Sequence, residues 1–270
     1  MNYINEDKIK GIVGIILAIL TTLAIIYGVY THVLSGHNSK TYTIDSKNNI
    51  ADEITLDGPI SNLNIDVDIS EINIAYGDST KVSYNLPKEL VPSVNIKDGT
   101  LEIKSKHNGK ISPNLGTDGF RIDILLSQDS IINDASINLS LGDIKINNIE
   151  ANELAISAAC GDIEFSNIKT NKLTIDEDLG DVELDSITCN NLLINQSAGD
   201  ITIINSSIDN SDIDSDLGDI KLDGTLNKIK ADCSLGEIKV NSSIAQKDMT
   251  LDLNTSLGEI TVNGHKYSTK

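Results

Sequence analysis

A Gly-acid dipeptide recurs seven times in the second half of this 270-residue chain, placing Asp143, Asp162, Asp181, Asp200, Asp219, Glu237 and Glu259 at regular intervals. The first five copies are 19 residues apart. If the copies stack, neighbouring carboxylates stand within several ångströms of one another, where like charges repel and a bridging divalent cation such as calcium would relieve them. The alternative is structural. Asp after Gly is a common turn residue whose carboxylate accepts backbone N–H groups of its own turn, with Lys145, Lys221 and Lys239 two positions on to offset the charge. The Gly-Gly-x-Gly-x-Asp nonapeptide of calcium-loaded β-rolls does not occur, so the turn reading is preferred and no metal ligand is assigned.

Other chemistries find less support. Pectin-degrading β-helices set acids beside basic residues along a groove, but the single Arg, Arg121, precedes the regular repeats. A glycosidase or lyase would have to use Lys and an acid pair that the spacing does not single out. His32, His37, His107 and His265 show no metal-ligand spacing. There is no Gly-x-Ser-x-Gly, phosphate loop, Cys/His pairing or hexapeptide subperiod. The sequence therefore predicts a non-enzyme with no catalytic residue and no cofactor.

The elements around the dipeptide explain its period. Counting from Gly, apolar residues before it fall at odd offsets (Leu154, Ile156, Cys160; Leu173, Ile175, Leu179) and those after it at even offsets (Ile163, Phe165; Val182, Leu184). Alternation on each side means strand, and the parity break means a corner, where Gly takes positive φ at little cost. A second apolar position about seven after Gly (Ile149, Ile168, Ile187) and Asn-rich stretches close the coil. Each coil holds at least two short strands and cannot bury its apolar face alone, so coils must stack. The expectation is an all-β, parallel β-solenoid domain of about 19-residue coils, roughly 30 Å long at ~4.8 Å per rung.

Residues 51–128 alternate without the clean period and are read as an irregular, antiparallel β region that caps the regular solenoid of 129–270. Gly77-Asp78 is a candidate degenerate corner, and Asp98-Gly99 is a hairpin signal. The last interval lengthens to 22 residues through 242–248, which predicts a bulging loop or terminal cap.

With two Phe, no Trp and a net charge of −19, the core must be aliphatic and the surface acidic. That charge argues against nucleic acid, because phosphate binding needs clustered Lys and Arg. Cys160, Cys189 and Cys233 fall at three phases of the repeat, so they should not stack into a disulfide. Cys160 fills the slot held elsewhere by Leu before Gly and is read as a small core residue.

From Ile12 to Leu34 the chain is apolar and without formal charge, a length that suits a membrane-spanning helix. Lys8 and Lys10 precede it, which places the N-terminus in the cytoplasm and exports the rest. The expected order is a cytoplasmic tail (1–10), one transmembrane α-helix (11–34), a linker (35–50) and the β region.

The segment Ile60–Tyr84, the element Gly99-Thr100-Leu101-Glu102-Ile103 and the Leu-Gly-Asp-Ile-x-Ile coils together resemble the bacterial putative-adhesin β-solenoid family, also called toast-rack domains. The resemblance covers about residues 51–263. It implies a non-catalytic module of the cell envelope, frequently tethered to a membrane segment. The expected function is an adhesin-like surface-binding module with an envelope, wall or protein ligand. The rival expectation is an envelope-stress regulatory module acting through membrane-protein partners.

Overall fold

The computed structural model describes residues 49–105 and 119–267, and the predicted membrane helix of 11–34 lies outside them. No helix among the described residues is long and apolar enough to cross a membrane.

From Ile132 onward the chain alternates between a long and a short strand. Long strands are β8 (Ile132–Leu141), β10 (Glu150–Ala158), β12 (Lys169–Leu179) and β14 (Thr188–Ala198); short ones are β9 (Ile144–Asn147), β11 (Ile163–Ser166) and β13 (Val182–Asp185). In β15 (Ile201–Leu217) and β16 (Ile220–Leu235) the short strand of one coil runs on into the long strand of the next. The rod closes with β17 (Ile238–Ser242), β18 (Thr250–Leu257), β19 (Ile260–Val262) and β20 (His265–Lys266).

Equivalent strands pair in parallel, residue on equivalent residue, as in Leu154 on Leu173, Leu173 on Leu192 and Ile163 on Val182. Within each long strand the alternation resets once. In β12 both Asn171 and Lys172 face outward, and the buried Thr170 hydroxyl, with one hydrogen to donate, lies 3.0 Å from the carbonyls of both Asn152 and Lys172. The long strand thus bends, and the coil has three sides. Such parallel ladders leave few backbone groups unpaired while the side chains fill the lumen.

The lumen is filled by files of equivalent aliphatic residues. Ile65, Ile137, Ile156, Ile175, Ile194 and Ile213 stack one above another, and each is essentially inaccessible to solvent. Phe165 is the bulkiest of the fully buried side chains, stacked between Ile146 and Leu184. Each such side chain contributes about 1.5–3 kcal/mol by leaving water, and a stack shares that gain between neighbours that could not obtain it alone.

The first half of the chain departs from the expected antiparallel cap. β2 (Asn62–Ile69) and β3 (Glu71–Gly77) form a full parallel coil beneath β8 and β9. β6 (Thr100–Ser105) and β7 (Arg121–Ser127) form another, which lies under β2 and β3 although it comes later in sequence. Among the described residues of this half, only β1 (Asn49–Thr55), β4 (Lys81–Pro87) and β5 (Ser93–Lys97) run antiparallel to their neighbours, with β4 on β7, β1 on β4 and β5 on β6. These reversed strands end the rod on that side, and the first described residue, Asn49, lies there. At ~4.8 Å per rung the stack is roughly 40 Å long.

The corner of the β2–β3 coil is Ser70-Glu71, which stacks under Gly142-Asp143 through Ile69 on Leu141 and Ile72 on Ile144. Gly77-Asp78 is therefore not a corner; it ends β3 where the chain leaves for β4. Asp98-Gly99 makes the expected hairpin between β5 and β6, with φ of 50° and 74°. A second hairpin, at Asn263-Gly264 between β19 and β20, was not anticipated although Asn-Gly is its usual signal. The 22-residue interval contains a 3-10 turn over Gln246–Asp248, in accord with a bulging loop.

Candidate functional site

The Gly-acid corner is built by close approach of backbones. A Cβ placed on Gly161 would lie 2.0 Å from the Gly142 carbonyl oxygen, and one on Gly199 would lie 1.8 Å from that of Gly180. Both glycines also have positive φ, 132° and 137°. Only Gly lets the coils come together here, and the reason lies as much in the neighbouring coil as in the turn itself.

The acids do not cap their own turns, as the sequence suggested. Five of the seven carboxylates, those of the Asp residues, accept the backbone N–H of the acid in the next coil: Asp162 N to Asp143 Oδ1 at 3.0 Å, Asp181 N to Asp162 at 2.9 Å, and Asp200, Asp219 and Glu237 N to the preceding Asp at 2.8 Å each. An N–H left over by the tight corner is thus satisfied from below, and charge assistance strengthens the bond. The file of acids is a staple between coils. Among the described residues, no group of three or more His, Cys, Asp or Glu side chains could hold a metal ion. Lys145 is engaged elsewhere, 3.2 Å from Glu164 of the next coil.

The opposite corner uses Asn or Ser in the left-handed region, at Asn148, Asn167, Ser186 and Asn205, with φ between 52° and 59°. One residue is missing at this corner in β16, which accounts for the 18-residue step from Gly218 to Gly236. Gly224, at φ 155°, takes over there, and its absent side chain leaves room for the Ser206 carbonyl.

Cys160, Cys189 and Cys233 occupy three different files and are free thiols. Cys160 is half-buried rather than part of the core, as are Leu141, Leu179, Leu217 and Leu235 in the same file. The position directly before Gly lies at the rim of the corner, where its side chain covers the stack without entering the lumen.

The inward file one step earlier was missed. Three residues before Gly stand Glu177, Gln196, Ser215, Cys233 and Thr255, stacked in register. The first four are buried, and neither Glu177 oxygen, nor Gln196 Oε1, nor Ser215 Oγ has a hydrogen-bond partner. The odd-offset parity that placed Leu173 and Ile175 inside would have placed Glu177 there as well. Burial, aided by Asp162 and Asp181, pushes the Glu177 carboxyl up to about 9.

On the outside, the loop between β7 and β8 overhangs the Asn-bearing bends. It forms an open groove of about 740 Å³ lined by Tyr76, Gln128, Ile131, Asn152, Lys169 and Asn171. Ile131 stands 77% exposed on its rim, the most exposed large apolar side chain among the described residues. Along the floor the Asn190 amide donates to Asn171 Oδ1 at 2.8 Å, and Lys169 pairs with Glu150 at 2.7 Å. Arg121, Lys145, Glu164 and Asp185 line a second open groove of about 680 Å³ on the short-strand side. In it Arg121 is bonded to Asp123 at 2.6 Å. Both grooves offer hydrogen-bonding and charged side chains to a ligand lying along the rod.

Comparison with known proteins agrees with this architecture. A solved structure from Bacteroides fragilis, described as a putative adhesin, superposes with a TM-score of 0.52 at 16% identity, covering 82% of this chain and 99% of that one. A putative lipid binding protein from Parabacteroides distasonis gives a TM-score of 0.49 at 18% identity, covering 84% of this chain and 98% of that one. A putative adhesin from the same organism gives 0.46 at 16% identity, over 80% and 96%. No curated protein matches the sequence. The family model described as Toastrack DUF4097 matches residues 60–270, and the chain belongs to that family.

Proposed function

We propose that the protein is a non-enzymatic, adhesin-like binding module, anchored in the cell membrane by residues 11–34 and displaying its solenoid outside the cell. The supporting observation is the polarity of the rod. β1, which holds the first described residue Asn49, lies at the end closed by the reversed strands, so a short linker from the membrane to it would leave the coils and their lateral grooves facing outward. The apolar run Ile12–Leu34 with Lys8 and Lys10 before it supports the anchor and its orientation. The likeness of the fold to a protein described as an adhesin is in keeping with this reading.

Binding would use the groove beneath Ile131, where an apolar rim adjoins stacked amides. Protease applied to intact cells should remove the β region, and its full protection would refute the exported topology. Replacing Ile131 with Asp should weaken attachment to purified cell-wall or matrix preparations at least several-fold without changing the melting temperature. Equal attachment would refute the groove. Crosslinking under envelope stress that captures only membrane sensor or transporter proteins would point to regulation instead.

A further inference from the structure

Four rungs of the inward file place one atom against the Gly corner. Measured from the point where Cβ of the corner Gly would be, Glu177 Oε1 lies at 2.5 Å, Gln196 Nε2 at 2.9 Å, Cys233 Sγ at 3.1 Å and Thr255 Oγ1 at 3.1 Å. In three of them that atom is a donor to the Gly carbonyl of the preceding coil. Gln196 Nε2 reaches Gly180 at 2.6 Å, Cys233 Sγ reaches Gly218 at 3.3 Å and Thr255 Oγ1 reaches Gly236 at 3.0 Å. Glu177 occupies the same slot in register with Gln196. An ionised carboxylate has nothing to donate, and would set an acceptor against the Gly161 carbonyl in a site that is only 3% exposed.

We propose that Glu177 is a proton-dependent latch, a neutral carboxylic acid that donates its hydrogen to the Gly161 carbonyl and ties the coil of β12 to the coil of β10. Ionisation removes that donor and strands a charge inside the rod, so rising pH loosens the joint between Gly161 and Gly180. The groups facing Glu177 all disfavour a second negative charge. They are Asp162 and Cys160 at the corner below, Asp143 one coil further down, and Asp178 and Asp181 on its own coil. The neighbour above, Gln196, is an uncharged version of the same side chain and shows what the latch does when it needs no proton.

The carboxyl signals of 13C-labelled glutamate in the full chain, followed by NMR in detergent micelles from pH 4 to 10, test this directly. One glutamate, absent from the spectrum of Glu177→Gln, should keep its protonated shift through neutral pH. Amide exchange at Gly161 and Gly180, corrected for intrinsic rate, should show a local opening constant that rises by up to about tenfold per pH unit between the free and the folded ionisation midpoints. That rise should be absent in Glu177→Gln. Titration of every glutamate in the ordinary carboxylate range would overturn the proposal, and so would identical pH dependence in the two proteins. A joint whose opening depends on sodium or potassium instead of pH would assign the neutralising role to a cation and overturn it as well. Should Glu177→Gln not fold, the wild-type titration alone decides.

Discussion

Replacing Gly199 with Ala separates the two halves of the Gly-acid motif. The new methyl would lie 1.8 Å from the Gly180 carbonyl oxygen and 2.9 Å from Gln196 Nε2, on a backbone with φ of 137°. The amide can swing away, but the carbonyl belongs to a ladder and cannot. Relief requires the two coils to part by more than an ångström. That strains Gly180 N to Ala198 O (3.1 Å), Val182 N to Asp200 O (2.9 Å) and the Gln196 bond to Gly180 (2.6 Å). Left-handed strain of ~1–2 kcal/mol, overpacking of ~1–3 kcal/mol and weakened bonds of ~1 kcal/mol each lead us to expect a loss of about 4 kcal/mol. Asp200→Ala removes only the acceptor of the Asp219 N–H, at a position where water can replace it and where like-charge repulsion is relieved. Its cost should resemble a lost helix cap, about 1 kcal/mol. Urea unfolding of the full chain in detergent, followed by far-UV circular dichroism, measures both. Because stacked coils open locally, exchange of the corner amides should be read alongside. A Gly199→Ala protein within about 1 kcal/mol of wild type would refute the close-approach argument. An Asp200→Ala protein as damaged as Gly199→Ala would show that the acid is more than a staple.

Melting the protein in calcium or in EDTA should give curves without a large shift, since the corner carboxylates are engaged with backbone N–H groups; a strong calcium-dependent rise would restore the metal ladder. Maleimide labelling of the native protein near neutral pH, read by mass spectrometry, should modify the half-buried Cys160 first. Cys189 and Cys233 should follow only on unfolding, because burial raises both thiols, Cys233 to about 11. Early labelling of Cys233 would contradict its place in the lumen.

Much of the architecture is legible in the sequence. A fixed 19-residue step and a parity break at Gly force a stack of short strands, because alternation fixes which side chains face inward and repetition leaves each coil's apolar face to be covered by the next. The Asp98-Gly99 hairpin was legible for an equally local reason, since few residues accept two successive positive φ angles. The order of the coils was not. That β6 and β7 lie under β2 and β3, and that Ser70-Glu71 replaces Gly-Asp as a corner, depends on which distant strands cover one another's edges. Only the sum of the contacts decides that.

The same division runs through the candidate site. Gly and acid identified the corner, but the partner of each corner Asp lies 18 or 19 residues away in the next coil, and the close approach of the Gly142 carbonyl to Gly161 is a contact between coils. Parity already placed Glu177 inward. Its meaning came only from the other rungs of the file, where Gln196, Cys233 and Thr255 each donate to the Gly carbonyl of the preceding coil. The sequence determined the period, the corner and the inward face, because these follow from local stereochemistry repeated in register. The tertiary structure decided what each corner atom meets, because stacking brings together groups that no local rule connects.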